Sequence, residues 1–231
     1  MYFWLVQICA TAASLSMAVS PLGDLKRMNA NKSVGEFSHL PYLMMFSNCC
    51  SWVGYAFYIS NVVPVGVTNA TSSFLWGFVL LEYYSLCPVE KRIEVIRHSA
   101  GVLFVVFSYF YLVQSYCTDH HTVRSLLGVF CSTLNCISYI SPLSTVKRVL
   151  ETRSSASISL YLATAGLANG FIWVFYGFLV SDPYIIGPNA LCAMSSGLQL
   201  FLLRLYPKSK SEVTDTLQSA AKINQKKYDA V

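Results

Sequence analysis

Seven apolar stretches, at about residues 3–19, 41–59, 63–84, 99–116, 125–140, 158–180 and 184–205, alternate with short polar connections. Most have the roughly 17–23 residues that a helix needs to cross the hydrocarbon core of a bilayer. The fifth is the shortest and holds Asn135, Ser138 and several cysteines, so its ends are the least sharply marked. The pattern predicts an all-α integral membrane protein with seven transmembrane helices. Beyond the last stretch, residues 207–231 are polar and Lys-rich, and Pro207 closes the final helix. They read as a solvated, disordered cytoplasmic tail.

The pattern is written twice. Ser20-Pro21-Leu22 returns as Ser141-Pro142-Leu143, Lys26-Arg27 as Lys147-Arg148, Ser33 as Ser154, Asn48 as Asn169, Trp52 as Trp173 and Tyr55 as Tyr176, each at an offset of 121 positions. The register then slips by one, and Asn69-Ala70 matches Asn189-Ala190. A constant offset across Pro, Trp and Asn marks an internal duplication. It divides the chain into a first three-helix repeat (1–88), a linker helix (89–119), a second three-helix repeat (120–206) and the tail (207–231). Three helices per copy is an odd number, so a direct fusion would invert the second copy. One extra crossing restores its orientation and makes the copies parallel repeats about an axis along the membrane normal.

Composition supports a membrane protein. The 231 residues are 55% hydrophobic and 12% charged, half the about 25% charge of a soluble domain. The net charge of +5 is explained by placement rather than by an anionic partner. Fifteen of the sixteen Lys and Arg lie in the 20–40, 85–98 and 141–157 connections and in the tail from Arg204; Arg124 is the exception. Basic residues stay cytoplasmic during insertion, which places the N-terminus outside and the C-terminus in the cytoplasm. Nucleic-acid binding is therefore a poor account of the charge. The first apolar run has no basic stretch before it and no cleavage site after it, so it is expected to be a retained span rather than a signal peptide. On this topology neither Asn31-Lys32-Ser33 nor Asn69-Ala70-Thr71 should carry a glycan.

Enzymatic chemistry is not indicated. There is no Gly-rich phosphate loop, nucleophile elbow or metal-ligand helix. The eight cysteines fall mostly inside apolar runs, where Cys acts as a small hydrophobe. His39, His98, His120 and His121 fall in connections or near span ends, and no metal or cofactor is expected. Only Glu82 reads as embedded, near a cytoplasmic helix end, where a snorkelling carboxylate is the simplest account. Ion-driven transporters place carboxylates or His at mid-membrane. Their lack predicts a neutral substrate moving down its own gradient.

What remains at mid-membrane is amide and indole, in pairs. Asn48 and Trp52 share a helix face, as do Asn169 and Trp173, and Asn69 and Asn189 add a further pair. Amides donate and accept hydrogen bonds, which suits hydroxyl groups, and flat indoles pack on the C–H faces of a sugar ring. Single Asn residues glue helices together; three duplicated pairs point to a binding site. Pro21, Pro41 and Pro142 gather at the cytoplasmic helix ends, where they either hinge or terminate helices.

Together these residues resemble the SWEET sugar transporters, the MtN3/saliva family within the PQ-loop superfamily. The resemblance runs over about residues 3–206 and rests on "SPLGDLKRMNANKSVGEFSHLPYLMMFSNC", "SPLSTVKRVLETRSS" and "DPYIIGPNALC". It implies a three-one-three fold and bidirectional sugar uniport by alternating access. Its substrate-binding positions correspond to Asn69, Asn189, Trp52 and Trp173. Those linked to choosing between mono- and disaccharide correspond to Met17, Asn48, Ser138 and Asn169, and Asn at both 48 and 169 resembles the monosaccharide type. Its cytoplasmic proline tetrad corresponds to Pro21, Pro41 and Pro142, with Ser159 in the fourth place. Its extracellular gate corresponds to Tyr55, Tyr176 and Asp182. The basic partner often found for that Asp is missing from residues 60–63, so the outer gate is expected to close less tightly. The resemblance further implies the plasma membrane, with Golgi or endosomal membranes as alternatives, contact with membrane lipid, and self-association into a homo-oligomer. Two other readings are a proton-coupled PQ-loop transporter of an amino acid or other small solute, and a receptor. The first needs an intramembrane carboxylate, and a rhodopsin-like receptor lacks such a duplication; a cargo receptor on the PQ-loop fold is the remaining form of the second.

Overall fold

Long apolar runs without internal breaks become helices because a backbone in lipid must satisfy its own polar groups. The computed structural model describes residues 2–35, 37–138, 140–155 and 157–206. It contains α1 (Tyr2–Ala18), α2 (Leu22–Asn31), α3 (Leu40–Tyr58), α4 (Val67–Leu86), α5 (Val89–Tyr116), α6 (His120–Ser138), α7 (Ile140–Thr152), α8 (Leu160–Leu179) and α9 (Pro183–Leu205). The expected tail at 207–231 lies outside the described residues. The seven long helices follow the three-one-three order: α1, α3 and α4 form one bundle, α5 links, and α6, α8 and α9 form the other. The short helices α2 and α7 occupy corresponding basic connections.

Two boundaries differ from the hydropathy reading. The linker helix begins at Val89, ten residues before its apolar run, because Glu90, Lys91, Arg92 and Glu94 lie in early turns that reach water. α6 begins at His120 and ends at Ser138, shifted toward the N-terminus from the expected 125–140; Asp119 starts it by accepting the Thr122 backbone N–H at 2.8 Å. The Thr122 hydroxyl, and then that backbone bond, hold the Asp119 carboxyl below its ordinary pKa.

Among the described residues, five segments are long and apolar enough to span a bilayer on hydropathy alone. α3 and α6 dilute their hydropathy with residues that face inward, among them Ser47, Asn48 and Ser51 on α3. Conversely, Phe74, Phe104, Phe107 and Phe201 project from the outside of the helices, as a lipid-facing surface requires.

Within each repeat the closest packing is between its last two helices, α3 on α4 and α8 on α9; the repeats meet through α1 against α8 and α3 against α6. α8 and α9 approach through small residues, the usual device for packing helices where lipid removes the hydrophobic drive. A Cβ at Gly170 would lie 2.7 Å from the Ala193 backbone nitrogen and 2.8 Å from the Asn189 carbonyl oxygen. Backbone atoms cannot swing away, so Gly170→Ala should force α8 off α9. The expected cost is about 1–3 kcal/mol, read as a lower melting temperature in detergent. Gly101→Ala on α5, where the added methyl meets nothing within 4 Å, is the matched control and should not destabilise.

Packing also decides which end of the molecule is sealed. One cluster, including Trp52, Tyr55, Leu127, Trp173, Tyr176 and Ile185, joins both repeats at the end near Asp182. At the opposite end the apolar groups separate. Leu25, Met28, Tyr42, Val79 and Val95 stay with the first repeat, and Val146, Val149, Ile158 and Leu202 with the second.

Candidate functional site

The space left between the separated clusters is a cavity of about 430 Å³, within the range of small-molecule sites. All eight predicted binding residues, Met17, Asn48, Trp52, Asn69, Ser138, Asn169, Trp173 and Asn189, line it. They come from α1, α3, α4, α6, α8 and α9, so both repeats contribute. Among the described lining residues there is no Asp, Glu, Lys, Arg or His.

The wall repeats itself side chain by side chain. Asn69 Nδ2 donates to the Val65 carbonyl at 2.9 Å, and Asn189 Nδ2 donates to the Ile185 carbonyl at 2.8 Å. Each amide is thus tied back to the carbonyl four residues earlier, leaving its carbonyl oxygen and second N–H for a ligand. Trp52 meets Tyr55 edge to face with ring centroids 5.6 Å apart, and Trp173 meets Tyr176 in the same geometry at 5.6 Å.

The other two amides reach across to the opposite repeat. Asn48 Nδ2 lies 3.5 Å from Asn135 Oδ1, and Asn169 Oδ1 accepts from Ser14 Oγ at 2.9 Å. Ser14 and Asn135 are themselves 121 positions apart, so these are one contact made twice, first from α3 to α6 and then from α8 to α1. Ser14 also accepts the Trp173 indole N–H at 2.7 Å, which fixes that ring. Asn48 Oδ1 and Ser195 Oγ are buried without a protein partner. Buried polar oxygens of this kind normally find a partner, and a hydroxylated ligand in the cavity supplies donors for both. Neither Ser14 nor Asn135 was among the candidates from the sequence; the offset of 121 relates them but cannot show that they touch Asn169 and Asn48.

The sealed end is a network across the repeats. Tyr55 OH donates to Asp182 Oδ2 at 2.8 Å, and Tyr176 OH donates to Asn61 Oδ1 at 2.8 Å. Asn61 and Asp182 are again 121 positions apart, so each repeat's Tyr grips the other repeat at equivalent places. Asp182 does more than Asn61. It is only 1% exposed, receives Arg124 Nη2 at 3.0 Å, and caps α9 by accepting the Tyr184 N–H at 3.0 Å.

This corrects two expectations. Asp182 does have its basic partner, Arg124, which comes from α6 rather than from the connection at residues 60–63, so a charged pair closes this end of the chamber. The deeply buried carboxylate is Asp182, while Glu82 is half-buried. Arg124, the single basic residue outside the three basic connections and the tail, was the signal available in the sequence.

At the opposite end the cavity continues to Thr145, Ser157 and Ser159. Pro21 is buried and precedes α2, and Pro41 sits in the first turn of α3. Pro142 lies in α7, and its side chain is outside the described residues. Ser159 caps α8 through a bond from Leu162 N–H at 3.4 Å. It therefore starts that helix, instead of loosening it from within.

Comparison with known proteins agrees with this architecture. The family described as a sugar efflux transporter for intercellular exchange matches twice, over residues 4–91 and 125–211, once for each repeat. The bidirectional sugar transporter SWEET5 of Arabidopsis thaliana is 30% identical, over 89% of this chain and 86% of its own length. The sugar transporter SWEET1 of Homo sapiens is 29% identical, over 85% and 88%. A solved eukaryotic SWEET transporter superimposes with a TM-score of 0.76 at 22% identity, covering 88% of this chain and 96% of that one.

Proposed function

The chain belongs to the MtN3/saliva family of sugar efflux transporters, the SWEET proteins, and from that premise we propose that it is a sugar uniporter in which two parallel bundles rock about a shared neutral chamber. One observation carries the reading. The chamber between the repeats offers paired amides and paired indoles and, among its described residues, no carboxylate, imidazole or basic side chain. Hydroxyls exchange hydrogen bonds with the amides of Asn69 and Asn189, and the indoles of Trp52 and Trp173 cover the ring's apolar faces. No group in that wall takes up a proton, so movement follows the sugar gradient in either direction. The buried carboxylate of Asp182 is paired with Arg124 at the sealed end, and the described chamber wall holds none, so the proton-coupled reading has no carboxylate in the chamber to use.

A monosaccharide is the preferred substrate. Asn48 and Asn169, engaged with Asn135 and Ser14 across the repeats, place amide side chains in the wall beside the two indoles, as in the monosaccharide type. The protein is an integral membrane protein. With the charge asymmetry as guide, its N-terminus faces outward and its C-terminus inward at the plasma membrane. The Tyr55, Tyr176 and Asp182 network is then the extracellular gate, and the open end near Pro21 and Ser159 faces the cytoplasm.

Radiolabelled glucose uptake into liposomes holding only this protein tests the proposal. Glucose should equilibrate without accumulating, unlabelled glucose should compete better than sucrose, and an imposed pH gradient should change nothing. Accumulation driven by the pH gradient would transfer the protein to the proton-coupled class. A failure of any hexose to move would leave the receptor reading.

A further inference from the structure

Away from the sugar chamber, at the end of the molecule where the cavity is open, three metal-ligating side chains converge on the seam between the first repeat and the linker helix. His39 stands immediately before α3, and its side chain takes no part in capping that helix. Glu94 and His98 are four residues apart on α5, hence on one face. His39 Nε2 lies 2.9 Å from His98 Nδ1, and Glu94 Oε1 lies 3.9 Å from that same nitrogen. The donor atoms of all three fall within 4.8 Å of one another.

We propose that His39, Glu94 and His98 form a binding site for Zn²⁺ or a similar late first-row divalent cation that ties the linker helix α5 to the first repeat. Two imidazoles and a carboxylate are a donor set that zinc favours, with metal–ligand distances of about 2.0–2.2 Å. In a tetrahedral site such ligands stand about 3.3 Å apart. His39 and His98 would then open by a few tenths of an ångström, and Glu94 would close by a little more. His39 is held by its surroundings. It is 6% exposed, packs on the Tyr83 ring at 5.8 Å and stacks on His98 at 5.2 Å with planes 16° apart. Glu94 and His98 are 48% and 35% exposed, so an ion reaches the site from solvent and water completes its coordination. The corresponding place in the second repeat, before α8, lacks these groups, so the site belongs to one half only. This revises the expectation that none of the four histidines takes part in metal binding.

The test is a ZnCl₂ titration of the full-length, chelator-stripped protein in detergent, followed by calorimetry and by melting temperature. One equivalent should bind and raise the melting temperature, and Co²⁺ should give the visible absorption of a four-coordinate N/O site. Glu94→Gln, which alters a half-exposed side chain and threatens no packing, should weaken binding more than about tenfold. His39→Ala with His98→Ala should abolish it, while His120→Ala with His121→Ala should leave it unchanged. Absence of stoichiometric binding, binding that survives loss of both His39 and His98, or a cobalt spectrum of sulfur ligation would overturn the proposal.

Discussion

Arg124→Met is expected to unlatch the sealed end of the chamber. The Asp182 carboxylate would remain 1% exposed with its charge unmatched, keeping only the Tyr55 hydroxyl and the Tyr184 N–H. Stranding a buried charge costs about 3–5 kcal/mol. The lower end applies because Arg124 is 36% exposed and already partly solvated. About 3 kcal/mol shifts the balance between closed and open forms by roughly two orders of magnitude. Two measurements should register it. Glucose uptake should fall, and a membrane-impermeant thiol reagent added at the Asp182 side should reach Cys49 and Cys192 in the chamber wall, which the wild type shields.

The duplication provides an internal control. In the sister arrangement Tyr176 binds a neutral Asn61, and the place equivalent to Arg124 is Phe3, whose ring lies 6.0 Å from Tyr176. Arg124→Phe combined with Asp182→Asn copies that neutral half into the charged one. It leaves no stranded charge, so it should restore much of the closure that Arg124→Met removes. If Arg124→Met neither admits the reagent nor slows uptake, or if the double variant is as leaky as the single one, the latch does not work as described.

Asn189→Ala and Asn69→Ala should carry the next largest effect, and they read the sugar site cleanly. Among the described residues neither amide is hydrogen-bonded across to another bundle; each Nδ2 holds the carbonyl four residues back along its own chain segment. Truncation therefore removes ligand contacts without cutting a bond between bundles. Losing a buried partner of a hydroxyl costs about 1–3 kcal/mol, so the apparent affinity for glucose should drop roughly tenfold to a hundredfold for each. The melting temperature should stay near wild type. Trp173→Ala would be a poorer probe, because it also breaks the bond to Ser14. Uptake that is unimpaired in both Asn variants would remove these residues from the site.

Most of the residues that line the proposed sugar site were visible in the order of residues, for a specific reason. Duplication repeats a functional position at a constant offset, so Asn48, Trp52 and Asn69 each announced a twin. The contacts among them were not visible. Ser14 meets Asn169 across 155 positions, and Tyr55 meets Asp182 across 127. The offset states which positions are equivalent but not which ones face each other. Arg124 illustrates the limit. It was noticed as a topological exception, and only the packing of α6 beside the start of α9 makes it the partner of Asp182.

By itself the sequence determined what each stretch must be: seven long helices, located by their apolar runs and paired by duplication. These are local or additive properties, set by transfer of each side chain between water and hydrocarbon. Tertiary structure alone decided that the bundles seal at the Asp182 end and part at the other. It also decided that amides bridge the repeats and that His39 meets His98. Such outcomes depend on how helices far apart in the chain pack their side chains, and no property of a single segment contains that geometry.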